Sequence, residues 1–355
     1  MTRLRKGQAY CELELDGLVL VRHSSGLGLP ASTTRSFCLT PAEAEAALAA
    51  ALASAIADGF VAVDTDVMTA APQLFECTRR GGKIRAARFR LDHSVRRGAA
   101  AELAAFLAQP AAAELEELRI GVVPSIAHRY PADDEKLYQP LVDVLTRQPH
   151  PTWRTLSLVE EFASNPPCFT SLGGIVLGDV GALYAAAPHL HALHVRANHT
   201  LELGEIALAE LRELAIETDD GFTPSMIRSV SRLRCPKLQR LELRFGRTTH
   251  TPAELAPLFD ATMPPTLQHV ALTAVMSAAL VAPLAAATFL PKLKTLSLCS
   301  GALDAAGARE LVRHEARFAH LKALDLEGDR IFDAAARTAL TTALPRVDLG
   351  MQIRF

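Results

Sequence analysis

A hydrophobic triplet recurs along this chain and constrains its fold more than any other feature. Each copy reads apolar, two variable residues, apolar, one variable residue, apolar. The clearest copies are centred on Leu241, Val270, Leu296 and Leu324, about 26 to 29 positions apart. A unit this short cannot bury its apolar face alone, so the pattern predicts a stack of similar units that share one core.

Further copies extend the series in both directions. Together they give about ten units, more than the three or so that a continuous core needs. The additional central residues are Phe89, Leu118, Leu156, Ile175, Leu193, Leu214 and Val347. Between Leu156 and Leu214 the spacing falls to about 18 to 21 residues, so we expect short turns or loops there rather than full helices.

The triplet itself predicts a strand, because alternate side chains of a strand point to opposite faces. The segments between the later triplets predict helices. Thr251-Pro252-Ala253-Glu254 has the form of a capping box, Thr223-Pro224 repeats its start, and Asp304 and Asp333 each precede an alanine-rich run. The predicted fold class is α/β, a solenoid with parallel strands on its concave face and helices or loops on its convex face.

The repeats from about Asn198 onward resemble leucine-rich repeats of the long, helix-containing kind found in ribonuclease inhibitor. The resemblance covers residues 86–355. That family usually places Asn or Cys shortly after the last strand leucine, where the side chain satisfies backbone groups between turns. Here that slot holds Asn198, Asp219, Gly246, Val275, Gly301 and Asp329. The series of side chains that hydrogen-bond to the backbone between turns is therefore interrupted. Other groups must satisfy the backbone N–H and C=O groups of some turns.

The first 66 residues do not follow the repeat. Tyr10–Leu15 alternates as a strand does, Asp16-Gly17 supplies a hairpin turn, and Leu18–Val21 returns as a second strand. Thr40 and Pro41 then start a helix that we expect to end near Ala57. These features predict a small α+β domain that precedes the solenoid.

This order of elements resembles the WGR domain, a small module of poly(ADP-ribose) polymerases and of many bacterial proteins. Gly26-Leu27-Gly28, Phe37 and Gly59-Phe60 carry the resemblance further. The Trp-Gly-Arg and the helix lysines of that family are absent here. The resemblance therefore implies the fold without the DNA binding, since phosphate recognition depends on cationic side chains. The predicted domains are 1–66, WGR-like; 67–85, a basic linker; and 86–355, the repeat solenoid.

Bulk composition excludes several classes of protein. The formal net charge of −2 gives no overall basic signature for nucleic acid. The six cysteines form no C-x-x-C pair, which argues against structural zinc and a disulfide framework. We find no signal peptide and no apolar run that suits a membrane span, so we expect a monomeric cytoplasmic protein. The alanine- and arginine-rich composition and the domain pairing indicate a bacterial source.

A basic stretch lies between the two predicted domains. Arg79, Arg80, Lys83 and Arg85 are candidate nucleic-acid contacts, and Arg88, Arg90, Arg96 and Arg97 extend the run. The alternative is a polar cap on the solenoid, which needs a hydrophilic outer face. We favour the cap, because no aromatic residues interleave as a base-stacking platform requires.

Two motifs with catalytic or ligand-binding potential are rejected. Gly26–Ala31 formally fits the dinucleotide fingerprint, but Pro30 stands where the phosphate-binding helix should begin. His189, His191, His194 and His199 form a cluster without nearby carboxylate or cysteine partners, so exposed histidines are favoured over zinc ligands. We expect no cofactor and no metal.

The repeat frame predicts where a partner would bind. Side chains between and just after the strand leucines project from the concave face. The candidate partner-binding residues are Arg119, His194, Arg196, Glu217, Arg240, Glu242, Arg244, Asp325 and Glu327. Their mixed charge favours a non-catalytic scaffold that binds a protein. The alternative is a nucleic-acid-binding protein that uses the WGR-like domain and residues 79–97; an enzyme with an unrecognised site is the weakest hypothesis.

Overall fold

The computed structural model divides the chain into two compact units. The first contains Met1–Arg88 and Pro110–Leu115, and the second contains Phe89–Gln109 and Glu116–Phe355. The structure describes residues 2–6, 9–16, 19–25, 32–37, 40–58, 61–63, 75–80, 83–91, 98–122, 138–161, 175–198, 200–246 and 249–350. Gly17, Leu18, Gly26–Ala31, Gly59-Phe60, Arg96, Arg97 and His199, which the sequence analysis singled out, lie outside these ranges.

The first unit contains an antiparallel sheet covered by one helix. Its strands are β1 (Thr2–Lys6), β2 (Ala9–Asp16), β3 (Val19–Ser25), β4 (Ser32–Phe37) and β5 (Val61–Val63), in the order β4-β3-β2-β1-β5. Helix α1 (Pro41–Ala57) packs on β2 and β3. The pairing of β2 with β3 and the span of α1 agree with the sequence prediction. Strand β1 was missed, because its alternation is carried by polar and charged residues.

Helix α1 begins and packs as its sequence predicts. The Thr40 hydroxyl accepts a hydrogen bond from the Glu43 amide at 3.2 Å, and Pro41 occupies the first turn. Leu13 and Ala55 are fully buried together, with Leu48, Ala51 and Leu52 packed around them. These contacts fit a small α+β domain. The WGR-like identity stays a prediction.

The remaining strands form one long sheet. Its strands are β6 (Phe75–Arg80), β7 (Lys83–Leu91), β8 (Glu117–Val122), β9 (Thr155–Glu161), β10 (Ala192–Ala197), β11 (Glu213–Thr218), β12 (Arg240–Arg244), β13 (His269–Thr273), β14 (Thr295–Ser297), β15 (Ala323–Asp325) and β16 (Val347–Asp348). They lie in chain order across eleven strands. Every pairing from β8 to β16 is parallel.

The register of this sheet confirms the triplet. The central apolar residues pair in one continuous row, Leu118, Leu156, Leu193, Leu214, Leu241, Val270, Leu296, Leu324 and Val347. In β10 and β11 buried and half-buried residues alternate strictly. One face of the sheet therefore enters the core and the other stays open, which fits a repeat solenoid.

One predicted unit is wrong. The triplet centred on Ile175 forms no strand, and β9 pairs directly with β10. Ile175 and Leu177 are buried, at 3% and 1% exposure, so they contribute to the core from an irregular segment. The spacing of about 18 to 21 residues around them leaves too little chain for both a strand and a return helix.

Helices return the chain between most strands. Their bounds are α2 (Ala99–Leu107), α3 (Gln139–Thr146), α4 (Ala182–Ala186), α5 (Pro224–Ser231), α6 (Pro252–Phe259), α7 (Ala278–Ala286), α8 (Ala305–Arg313), α9 (Glu315–Phe318) and α10 (Ala334–Ala343), with short 3₁₀ turns at Pro110–Ala112 and Leu290–Lys292. Neighbouring helices pack side by side, as α5 does on α6 and α7 does on α8. Between β10 and β11 the described residues 200–212 form no helix, as their spacing predicted.

The predicted helix starts are confirmed in detail. Thr251 and Glu254 form a reciprocal capping box at α6. Thr223 caps α5, and Asp304 and Asp333 accept backbone N–H groups at the starts of α8 and α10. These local signals fix where each return segment begins, and so they position the strands that follow.

Candidate functional site

The open face of the parallel sheet carries the predicted binding residues. We call this surface, formed by the outward positions of strands β8 to β16, the open sheet face. Each of its central strands presents three such positions, as Glu213, Ala215 and Glu217 do on β11. Parallel pairing in register aligns these positions into columns. The open sheet face is therefore an ordered array in which neighbouring repeats can exchange charge contacts.

Glu217 lies between two arginines at the centre of this face. Arg196 approaches it from β10 with two contacts, Nε to Oε2 at 2.9 Å and Nη2 to Oε1 at 3.2 Å. Arg244 approaches from β12, with Nη1 3.5 Å from Oε1. The Arg196 and Glu217 side chains are only 19% and 23% exposed, whereas that of Arg244 is 57% exposed. Arg244 thus keeps guanidinium donors available to solvent or to a partner.

A backbone irregularity lies beside this cluster. The register of β8 on β9 shifts after Ile120, so Val159 falls in a β-bulge. Val159 has φ of +64°, a conformation that costs a β-branched residue on the order of 1–3 kcal/mol. Its carbonyl accepts a hydrogen bond from Arg196 Nη1 at 3.4 Å. The strained turn therefore helps to hold the arginine in place.

A second charge cluster lies at the start of the same strands. His194 Nε2 is 3.2 Å from Glu213 Oε1, and Arg240 Nε is 4.0 Å from the same oxygen. Arg240 Nε also donates to Glu242 Oε1 at 2.6 Å. The hydrogen bond from His194 lowers the pKa of the Glu213 carboxyl. The predicted residues His194 on β10 and Arg240 and Glu242 on β12 are thus brought together by Glu213 on β11, the strand between them.

The two clusters border one depression of about 360 Å³. The sheet forms its floor, and Ser157 and Thr273 line it together with the arginines and glutamates. Its lining includes Ser157, which stands opposite His194 in the register, and the contacting pair of His194 and Glu213. Its polar lining can accept a polar or charged side chain of a partner.

The C-terminal part of the open sheet face has a different chemistry. The Cys299 thiol donates to Asp325 Oδ2 at 2.9 Å, and Ser297 Oγ lies 3.3 Å from the same oxygen. Burial and the Asp325 carboxylate raise the pKa of the Cys299 thiol to about 12. The thiol therefore stays protonated at neutral pH and is a poor nucleophile. Glu327, the other residue predicted here, is exposed and donates its amide to Asp325 Oδ1 at 3.0 Å.

Arg119 lies to one side of the central clusters, and its charge contributes to lowering the pKa of Glu213. It extends from β8 and pairs with Glu117 on its own strand. The structure therefore places the nine predicted face residues in three groups, one on β8, one on β10 to β12 and one on β15.

Two contributors to this face were missed by the sequence analysis. Glu213 and His269 occupy the outward position just before the central strand residue. Alternation placed the residues between and just after the strand leucines on this face. It also places there the residue just before the central leucine, so the signal was present in the triplet. His269 Nδ1 lies 2.7 Å from Thr295 Oγ1 on the next strand.

The basic stretch is largely engaged within the first unit. Lys83 and Arg85 on β7 both pair with Glu114, with Arg85 Nη2 2.7 Å from Oε2. Arg88 lies 4.0 Å from Glu76. Arg79 is half-buried near the end of β6, and Arg80 is its last residue. These ion pairs reduce the positive charge that a nucleic acid would meet.

The described part of the chain has neither a metal-binding cluster nor a membrane-spanning helix. No group of three or more His, Cys, Asp or Glu side chains there could hold a metal ion. Among the same residues, no helix is both long and apolar enough to span a bilayer.

Comparison with known proteins supports the fold alone. No protein-family model and no curated protein sequence matches the chain. A Bacteroides fragilis protein of known crystal structure superposes with a TM-score of 0.62 at 19% identity, over 100% of this chain and 98% of that one. An internalin from Listeria monocytogenes gives a TM-score of 0.28 at 12% identity, over 69% and 82% of the two chains, and supports no inference. This chain therefore shares its fold with the Bacteroides protein.

Proposed function

We propose that this protein is a non-catalytic scaffold that binds a protein partner through the open sheet face. The observation that carries the proposal is the cluster of Arg196, Glu217 and Arg244 around a polar depression. Its ion pairs hold two guanidinium groups in fixed positions, and a strained bulge supports one of them. Arginines ordered in this way lose little entropy when they bind a carboxylate or backbone carbonyls of a partner.

The proposal also covers the repeat family, the domain assignments and the location of the protein. We take residues 86–355 as leucine-rich repeats of the ribonuclease-inhibitor kind, residues 67–85 as a basic linker and residues 1–66 as a WGR-like domain that caps the array or provides a second docking site. The register of the strand triplets supports the repeat assignment, and the antiparallel sheet with one helix supports the assignment of the N-terminal domain. Within residues 67–85, strand β6 and the start of β7 belong to the long sheet. We place the protein in a bacterial cytoplasm, which is consistent with the thiol state of Cys77, Cys235 and Cys299.

The proposed function can be tested by affinity capture with the full chain. Bacterial lysate proteins retained by the wild type would be compared with those retained by the double variant Arg196→Glu and Arg244→Glu. The matched control is Arg228→Glu with Arg309→Glu, since both arginines are exposed on helices. We expect a partner that the control retains and the face variant loses. Equal retention by both variants would contradict the proposal.

A further inference from the structure

The two ends of the parallel strands differ in charge. The four residues before each of strands β9 to β16 supply seven cations, Arg154, Arg212, Lys237, Lys292, Lys294, Lys322 and Arg346. The same segments supply one carboxylate, Glu210, which Lys237 Nζ contacts through both oxygens at 2.7 Å. The opposite strand ends carry carboxylates, among them Asp219, Asp220, Glu327 and Asp348. Because all these strands are parallel, the sequence difference becomes a basic rim along one edge of the face.

Part of the basic rim is a regular column, formed by Arg212, Gln239, Gln268, Lys294 and Lys322. Each member except Arg212 donates its backbone N–H to the carbonyl of the member before it, at 2.7 to 2.9 Å. Neighbouring members are therefore one strand spacing apart, about 4.8 Å. The whole column spans four such steps, or about 19 Å, which equals the length of about six residues of extended chain.

Every side chain in this rim column ends in hydrogen-bond donors. Arginine and lysine are donors only, and the glutamine amides donate as well as accept. Arg212, Gln239, Lys294 and Lys322 are exposed, and Gln268 is half-exposed. No ion pair engages Lys294 or Lys322 within the described residues. The donors at this end of the column are thus available to a ligand.

The pKa values of two histidines beside the column reflect its positive charge. Burial lowers the pKa of His191, and the neighbouring Arg212 and Arg154 lower it further. Burial likewise lowers the pKa of His269, with Arg240 and Lys294 adding to the effect. Both rings are therefore neutral at pH 7, and they respond to cations on separate repeats.

We propose that the rim column binds an acidic peptide segment of a partner protein, extended along the column, so that its carboxylates meet Lys294, Lys322 and Arg212. A peptide strand suits the surface better than a nucleic-acid duplex. Two nearer carboxylates, Glu213 and Asp325, already accept hydrogen bonds from His194 and Cys299. The carboxylates at the far strand ends lie farther away, as Glu217 and Glu327 follow Arg212 and Lys322 by five residues, or about 17 Å of extended chain. A thin peptide on the rim stays beyond about two Debye lengths from them at physiological salt, whereas a wide duplex overhangs the face and meets them.

The column also complements the proposed function of the open sheet face. The rim borders that face along its whole length, so one partner could place an acidic segment on the rim and another region in the central depression. The two sites use different residues, and they can be disrupted separately. Failure at the rim would leave the proposal for Arg196 and Arg244 intact, and the reverse also holds.

The test measures fluorescence anisotropy of a labelled hexaglutamate peptide titrated with the full chain at low salt. A hexaglutamine peptide controls for non-ionic contacts. The rim variant is Lys294→Glu with Lys322→Glu, accompanied by the milder Lys294→Gln with Lys322→Gln, and thermal unfolding checks that each remains folded. Arg228→Glu with Arg309→Glu is the matched charge control, since both arginines are exposed on helices.

We expect saturable binding of hexaglutamate, weakened about tenfold or more by the rim charge reversal and by less than about twofold in the control variant. Binding should also weaken at physiological salt, about 0.15 M. Equal binding of hexaglutamine, equal affinities in the rim and control variants, or tighter binding of duplex DNA that depends on the same lysines would each overturn the proposal.

Discussion

The middle and the C-terminal end of the repeat array have the same backbone arrangement, but their charged groups make different contacts. On strands β10 to β12, Glu217 is held by Arg196 and Arg244. On strands β14 and β15, Asp325 instead accepts hydrogen bonds from the Cys299 thiol and from the Glu327 amide. Fixed ion pairs in the middle present directed guanidinium groups, whereas the C-terminal groups mainly satisfy one another. Charge-specific recognition is therefore expected in the middle.

The turns of these two regions show the same difference. Asn198 and Asp329 fill the same slot and are almost completely buried, at 3% and 0% exposure. Asn198 Oδ1 accepts from the Thr200 amide at 3.0 Å and from its hydroxyl at 2.6 Å. Asp329 Oδ1 accepts from the Leu303 amide at 3.3 Å, while its Oδ2 has no hydrogen-bond partner among the described residues. A neutral amide suits this slot, and a carboxylate is buried there at a cost.

The largest expected effect follows from Asp329. Burial raises the pKa of its carboxyl from 3.8 to about 7. The folded state therefore binds more protons than the unfolded state between about pH 4 and pH 7, so stability falls as the pH rises through that window. Asp329→Asn should remove this dependence and raise the free energy of unfolding at pH 8 by roughly 2 to 3 kcal/mol.

Urea unfolding at pH 5 and pH 8 measures both quantities for Asp329→Asn. The exposed Asp260→Asn serves as the control and should change stability by less than about 0.5 kcal/mol. An unchanged pH dependence in Asp329→Asn would refute the proposed cost of the buried carboxylate.

The reverse substitution in the middle turn gives the next largest effect. Asn198→Asp places a charge where the amide now lies almost fully buried, so it should lower the free energy of unfolding at pH 8 by roughly 1 to 2 kcal/mol. The loss should shrink as the pH falls and the new carboxyl is protonated. Thermal unfolding across that pH range checks both points, and a variant as stable as the wild type at pH 8 would break the comparison between the two turns.

Removing the central carboxylate tests the ion pairs themselves. Glu217→Gln should lower stability by about 1 kcal/mol, because it leaves the half-buried Arg196 without its two-point partner. Glu242→Gln is the matched control, since the Glu242 side chain is 37% exposed, and should cost less than about 0.5 kcal/mol. Chemical denaturation of both variants decides the matter; equal losses would mean that burial of the pair contributes nothing.

The smallest expected effect is chemical rather than energetic. Asp325→Asn removes the carboxylate that helps to raise the pKa of the Cys299 thiol, so alkylation of Cys299 at pH 8 should accelerate several-fold. Peptide mapping by mass spectrometry after timed iodoacetamide treatment isolates this site from the other cysteines. Asp348→Asn, on the neighbouring strand, should leave the rate unchanged. A rate for Asp325→Asn that matches this control would show that burial alone governs the thiol.

Most of the repeat region could be predicted because two local signals coincide. The apolar triplet set the strand register, and threonine or aspartate caps set the helix starts. The Ile175 triplet failed because three apolar residues at the right spacing also fit an irregular buried segment. Strand β1 was missed because its sequence has too few apolar residues to alternate.

The candidate site was only partly foreseeable. Outward positions followed from alternation, which placed Arg196, Glu217 and Arg244 on one face. Their mutual contacts depend on strand order, and β9 lies directly beside β10 only because the Ile175 segment leaves the sheet. The bulge at Val159 has no sequence signature, since valine normally favours an extended strand. The rim column needed the parallel register before separate lysines became one surface.

The most direct test of the central claim is the affinity of the captured partner for defined variants. Isothermal titration would compare the full-length wild type, Arg196→Glu with Arg244→Glu, and the control Arg228→Glu with Arg309→Glu. Reversing two ordered arginines at the centre of an interface should weaken binding by about 100-fold or more, while the control stays within about twofold. An affinity of the face variant equal to that of the wild type would contradict binding through the open sheet face.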